Sequence, residues 1–311
     1  MKIKRITALL LSVMMLLLCG CSIDTAVLKE KAEQIINKVG ESGEEGNFSF
    51  SQEKFPKMMG SLAFEPMGEA LTAAALGVKR SEAKEITHFG ASQGESYKAL
   101  CDKTADIIFA YAPTDEDIEY IEKSGREIEM KTVALDALVF LCHKDNNTAS
   151  VSKAQLKAVY EGEIGFWGEL SGIGKEITAY GRNNGSDSEI LFEKLIGADK
   201  AGTIKTYSSM SGLSAAFFSD NNRYALGYAS LSGLKMFGGD GVSSYRMMSV
   251  GEIEPLDENI ASSAYPLTAE IYVAIRKSAA KESSERVLYN WITSLQGREI
   301  IAREGYIQPL V

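Results

Sequence analysis

The sequence predicts an α/β protein of two lobes, one inserted into the other. Three observations carry this reading. From Phe48 onward, short apolar runs alternate with helical patterns, the signature of largely parallel sheets flanked by helices. Two longer β-type runs, residues 132–143 (TVALDALVFLCH) and 264–276 (AYPLTAEIYVAIR), bracket about 120 residues with their own βα alternation. The chain, 311 residues and 45% hydrophobic, is also larger than a single core usually serves. The two long runs are therefore expected to cross between the lobes and to act as a hinge.

The N-terminus stands apart. Lys2, Lys4 and Arg5 precede an apolar run over residues 6–18, which is too short for an ordinary membrane span and reads as the core of a secretory leader. The run closes on Leu18-Cys19-Gly20-Cys21, which resembles the lipobox of bacterial lipoproteins. By that resemblance residues 1–20 are a signal peptide and Cys21 is the lipidated first residue; a plain leader cleaved near Gly20 is the alternative. Residues 21–47 read as a tether, ending in the polar stretch Gly40-Glu41-Ser42-Gly43-Glu44-Glu45-Gly46. Losing the three leader charges moves the formal net charge from −9 to −12. So acidic a chain is a poor nucleic-acid binder, and local donors must hold any anion against the global field.

Within the globular part the elements follow in order. A helix is expected over residues 67–76, opened by Pro66 in its first turn. A second is expected over 96–102, where Ser92 and Glu95 have capping-box spacing, followed by a strand over 105–110. Asp106 reads as a capping or turn residue, and Asp115, Glu116, Asp117 and Glu119 as a solvated helix start. A further helix is expected over 152–160. Phe166-Trp167 reads as core packing, and Gly227-Tyr228 as packing along a strand. Cys101 and Cys142 are too few for a disulfide framework and read as small buried residues.

Chemistry concentrates in Tyr180-Gly181-Arg182-Asn183-Asn184-Gly185-Ser186-Asp187-Ser188-Glu189, between a strand pattern and a helical one. An arginine, a Gly/Asn turn and two serines at a helix start place a cation, hydroxyls and unpaired backbone N–H groups around one spot, which suits a tetrahedral oxyanion. Ser186 and Glu189 also have capping-box spacing, a role that needs no ligand. Gly90-Ala91-Ser92-Gln93-Gly94 matches the G-x-S-x-G nucleophile elbow of serine hydrolases, but His88 and His143 are the chain's two histidines and neither follows as a base. They also make no metal site. Gly168 to Gly174-Lys175 is one residue too long for a P-loop and is followed by Glu176.

An ordered succession of short motifs over most of residues 52–310 adds a resemblance. It comprises Phe55-Pro56, Gly60-Ser61, Ala105-Asp106-Ile107-Ile108-Phe109, Asp136-Ala137-Leu138-Val139-Phe140, Gln155-Leu156, Tyr160-Glu161-Gly162-Glu163-Ile164, Trp167, Gly181-Arg182, Ser186-Asp187-Ser188, Leu226-Gly227-Tyr228, Tyr265-Pro266-Leu267 and Gly305-Tyr306-Ile307-Gln308-Pro309-Leu310. Together with the lipobox, it resembles the phosphate-binding lipoproteins of ABC transporters. The resemblance implies a two-lobed periplasmic-binding-protein fold of the second type, with residues 48–132 plus 266–311 as one lobe and 133–265 as the other. It implies a non-enzymatic, cofactor-free, lipid-anchored receptor on the outer face of the cell membrane, closing on phosphate or a related oxyanion and delivering it to an ABC permease. A degenerate relative acting as a sensor or interaction module is the alternative.

By the same resemblance the ligand contacts fall on Arg182, Ser186 and Ser188, on Ser61 and the Leu62 N–H, near Ser92 and Gln93, and at Tyr111. Two of these positions depart from the family pattern. Tyr111 stands where many relatives carry the carboxylate that accepts the proton of hydrogen phosphate, and Asp187 replaces a glycine. Two unit charges about 4 Å apart at an effective dielectric of ~20 repel by about 4 kcal/mol, roughly a thousandfold in affinity. Asp187 must therefore point to solvent, accept a proton from the ligand, or mark a ligand other than phosphate.

Overall fold

The computed structural model describes residues 50–310 except 173, 220–221 and 238–242. The expected leader over residues 1–20, the anchor Cys21 and the tether over 21–47 lie outside the described residues. Among the described residues, no helix is long and apolar enough to cross a membrane.

The chain forms β1 (Met58–Gly60), α1 (Glu65–Leu76), α2 (Arg80–Ile86), β2 (His88–Phe89), α3 (Gln93–Cys101), β3 (Ile107–Ala110) and α4 (Asp115–Ser124) before the long strand β4 (Ile128–His143). β5 (Ser150–Val151), α5 (Lys153–Tyr160), β6 (Thr178–Arg182), α6 (Asp187–Leu195), β7 (Lys205–Tyr207), α7 (Met210–Ser219) and β8 (Ala225–Ser230) follow. Then come α8 (Leu231–Phe237), β9 (Tyr245–Met247), β10 (Ser249–Val250), α9 (Asp257–Ala261), β11 (Thr268–Arg276), α10 (Ser284–Ile292) and α11 (Leu295–Arg303). β11 begins at Thr268, four residues later than the apolar pattern suggests. Tyr265-Pro266-Leu267 is a turn, closed by the N–H and hydroxyl of Thr268 donating to the Tyr265 carbonyl at 3.3 and 2.8 Å.

One sheet runs β2-β1-β3-β11-β4-β8-β6-β7, with β9 also on β4. The outer pairs β1–β2, β1–β3, β6–β7 and β6–β8 are parallel, and the crossover strands pair antiparallel. β4 belongs to both halves: residues 128–137 pair with β11 and residues 138–142 with β8. Its buried run from Val133 to His143 is covered on both faces, which explains its continuous hydrophobicity.

The core of the first half gathers Tyr97, Leu100, Ile108 and Ala274. Gly68 lets α1 lie on β2, because a Cβ there would sit 2.0 Å from the Phe89 ring. The second half is held by aromatics: the Phe192 and Tyr228 rings stack at 4.5 Å, and Tyr160 meets Phe192 edge-on at 4.8 Å, contacts worth about 0.5–1.5 kcal/mol each beyond area burial.

Several expectations are met locally. Ser92 with Glu95 forms a complete capping box. Cys101 and Cys142 are free and buried. Asp106 accepts from the Lys57 N–H at 3.0 Å and pairs with the nearly buried Arg276 at 2.9 Å. Others are corrected. Asp117 is not solvated but 5% exposed, accepting from Thr114 as its cap partner and from Gln93 Nε2 at 3.0 Å. Phe166 and Trp167 part company: Trp167 is fully buried with its indole N–H on the Tyr224 carbonyl at 3.0 Å, while Phe166 is 52% exposed. Adjacent side chains at a turn entry face opposite ways, and only one can enter the core.

Candidate functional site

β6 ends at Arg182, and the chain turns through Asn183, Asn184 and Gly185, the last at φ 78°, a backbone region that glycine adopts at little cost. Ser186 caps α6, its Oγ accepting from the Glu189 N–H at 3.3 Å. Only this half of the expected capping box forms. The Glu189 carboxylate, 1% exposed, turns inward to Lys200 Nζ at 2.6 Å and to the Tyr228 hydroxyl. The N–H groups of Asp187 and Ser188 then open the helix with no helical acceptor of their own, adding the positive end of the helix dipole.

Arg182 is held from behind. Its N–H donates to the Tyr228 hydroxyl at 3.1 Å, its carbonyl accepts from Lys200 Nζ at 2.8 Å, and its Nε donates to the Tyr207 carbonyl at 3.2 Å. Burial lowers the guanidinium pKa, an effect opposed by Asp187, Tyr228 and Glu189. Gly181 admits this arrangement, since a Cβ there would lie 3.2 Å from the Tyr228 hydroxyl oxygen. Ser188 is buried, and its Oγ accepts from the Ser230 N–H at 3.0 Å.

Arg182 through Ser188, with Ser230, line one wall of a cleft of about 480 Å³. The opposite wall is Ser61-Leu62-Ala63 and Gly90-Ala91-Ser92, where Ser61 precedes a single 3-10 turn over Leu62–Phe64 leading into α1. Ser61, Leu62, Ser92, Arg182, Ser186, Asp187 and Ser188 thus come together. Ser92 keeps its hydroxyl on Glu95, donating to Oε2 at 2.9 Å and accepting from N–H at 3.3 Å. Glu95 occupies the place a nucleophile elbow reserves for histidine.

Asp187 faces the cleft rather than solvent. Burial first, and then Asp136, raise its pKa to about 6, with Ser61 and Arg182 opposing. The Ser61 hydroxyl is near enough to act on that carboxylate but makes no hydrogen bond of normal geometry.

Two expected contacts lie behind the wall. Gln93 is 3% exposed; its Oε1 accepts from the Tyr111 N–H at 3.1 Å and its Nε2 donates to Asp117 and to the Ala112 carbonyl. Tyr111 is 1% exposed and donates its hydroxyl to Asp136 Oδ2 at 2.6 Å. Burial, with Asp136 second, drives the Tyr111 phenol well above its ordinary range. Asp136 also accepts from the Ala137 N–H at 2.7 Å, the Ser232 N–H at 3.1 Å and the Ser232 hydroxyl.

Sequence reasoning passed over Asp136, although an acid inside TVALDALVFLCH was a signal, because a buried strand carries a charge only with partners. It also passed over Ser208, Ser209 and Ser211, a serine cluster that joins the cleft from the corner between β7 and α7. Among the described residues, no group of three or more His, Cys, Asp or Glu side chains is arranged to hold a metal.

Residues 59–294 match the family model of the PBP superfamily domain, and the chain belongs to that superfamily. It is 24% identical to the phosphate-binding protein PstS of Bacillus subtilis, over 98% of this chain and 94% of that protein. It is 23% identical to PstS of Pseudomonas aeruginosa over 62% of this chain, and the match spans 64% of that relative's length. Among solved structures, an ABC-type phosphate transport receptor from Vibrio cholerae superposes with a TM-score of 0.64 at 20% identity, covering 82% of this chain and 100% of the other. That likeness is one of fold: a mixed α/β body in two halves.

Proposed function

We propose that this chain is a lipid-anchored, extracytoplasmic solute-binding protein that takes phosphate or a related oxyanion into its cleft and presents it to an ABC permease. The observation that carries the reading is the convergence of Arg182 and the opening turn of α6 on the Ser61–Ala63 loop across one cleft. A fixed cation, hydroxyls and helix-opening N–H groups form an anion cradle, and the names of the relatives agree with it. Ser61, the Leu62 N–H, Ser92, Arg182, Ser186, Asp187 and Ser188 are the contacts. Tyr111 and Gln93 act from behind by shaping the wall. Residues 48–132 plus 266–311 and residues 133–265 are the closing lobes, hinged on β4 and the approach to β11. Cys21 holds the protein at the membrane.

Isothermal titration of the full chain in mild detergent with inorganic phosphate tests this. Saturable heat that is lost in Arg182→Ala supports it, and no heat with phosphate, arsenate or sulfate sinks it.

A further inference from the structure

The cleft has more room and more acceptors than an inorganic oxyanion uses. The cleft, about 480 Å³ and open to solvent, extends past the residues that would cradle a tetrahedral oxyanion. Beyond the Arg182 end the wall continues through Asn183 to Ser208, Ser209 and Ser211. Ser209 Oγ accepts from the Gly212 N–H at 3.0 Å, which leaves its own proton to donate.

The acceptors are the more specific sign. Asn183 Oδ1 is buried and unpartnered in the cleft wall. The Asn183 amide is oriented by Nδ2 donating to the Asn184 carbonyl at 3.2 Å, so the orphaned atom is a carbonyl oxygen, which needs a donor. The Asp187 carboxylate is a second acceptor in the same wall. A fully ionised oxyanion offers acceptors only and hydrogen phosphate a single donor, so neither satisfies both groups. Two hydroxyls beside the phosphoryl group correct both faults: one donates to Asn183 Oδ1, and the other turns Asp187 from a repelling charge into a hydrogen-bond partner.

We infer that the ligand is a hydroxylated phosphomonoester or phosphonate, its phosphoryl group on Arg182 and the start of α6 and its hydroxyls on Asn183, Asp187 and the Ser208–Ser211 corner. This inference rests on the anion-binding reading above and narrows it. An unsatisfied buried polar atom costs about 1–3 kcal/mol, roughly five- to 150-fold in affinity, so a ligand that satisfies Asn183 gains by about that factor.

The test compares glycerol 3-phosphate, n-propyl phosphate and inorganic phosphate by isothermal titration of the full chain. Glycerol 3-phosphate is expected to bind at least tenfold more tightly than either of the others. Asn183→Ala is expected to weaken glycerol 3-phosphate about tenfold more than it weakens inorganic phosphate. Inorganic phosphate binding as tightly as glycerol 3-phosphate, or n-propyl phosphate matching it, overturns the inference while leaving the anion site standing. Heat with none of the three overturns the inference, and heat with neither these nor arsenate or sulfate overturns the anion site as well.

Discussion

Tyr111 and Asp136, 25 residues apart in sequence, are joined by a 2.6 Å hydrogen bond from the phenol to the carboxylate. The tyrosine therefore serves a carboxylate buried on β4, the strand that both halves share. Asp136 also takes both donors of Ser232 at the head of α8. A residue from β4, one from the end of β3 and one from α8 are thereby fixed together behind the ligand wall.

Tyr111→Phe removes one donor from that carboxylate. The expected cost is about 1–2 kcal/mol, or roughly 2–8 °C in Tm for a chain of this size, read by urea and thermal unfolding. Anion affinity should change less than threefold, because Tyr111 lies outside the cleft lining.

Asp187 gives a pH dependence with a definite sign. Its folded pKa, about 6, lies above its ordinary 3.8. The contribution to stability is fully present below about pH 3.8 and is lost as pH rises through 6. Asp187→Asn should accordingly raise Tm relative to wild type by about 2–4 °C at pH 8, with the difference disappearing near pH 4. Scanning calorimetry across pH 4–8 decides this; a gain that persists at pH 4 would contradict it.

In the proposed site Arg182 holds the anion by geometry as well as charge. Arg182→Lys keeps the charge but loses the planar fork, and a charge-assisted hydrogen bond contributes about 1.5–3 kcal/mol. Titration with inorganic phosphate should show affinity falling at least tenfold for Lys and further for Ala.

The Glu189–Lys200 pair supports Arg182 from behind. Removing one partner of a buried pair costs about 3–5 kcal/mol, and Lys200, with 17% of its side chain exposed, places this pair at the lower end. Glu189→Gln should lower stability by about 3 kcal/mol in urea unfolding and weaken anion binding several-fold, although Glu189 does not line the cleft.

Much of this was legible in the sequence because it is local. The hydrophobic runs of β4 and β11, the turn after Arg182 and the Ser92 cap all announce themselves within a few residues. The failures are long-range. Nothing near Glu189 says that Lys200 and Tyr228 will draw its carboxylate away from the capping box. Asp117 and Gln93 are 24 residues apart, and Ser232 is 96 residues from Asp136. A charge or amide that looks solvated by its neighbours is buried by partners that only the fold supplies.

β4 crosses from one half to the other in consecutive residues, its register shift against β11 lying earlier, at Val133: Ala137 still pairs with Thr268 of β11, and Leu138 already pairs with Ser230 of β8. The Leu138 N–H donates to the Leu267 carbonyl at 2.9 Å, and its own carbonyl accepts from the Tyr265 hydroxyl at 3.1 Å. In the proposed closure, rotation of one half against the other would be absorbed as added strand twist where β4 changes partner, between Ala137 and Leu138. Under that proposal the joint is a torsion bar: amide exchange along β4 should stay equally slow with and without bound anion.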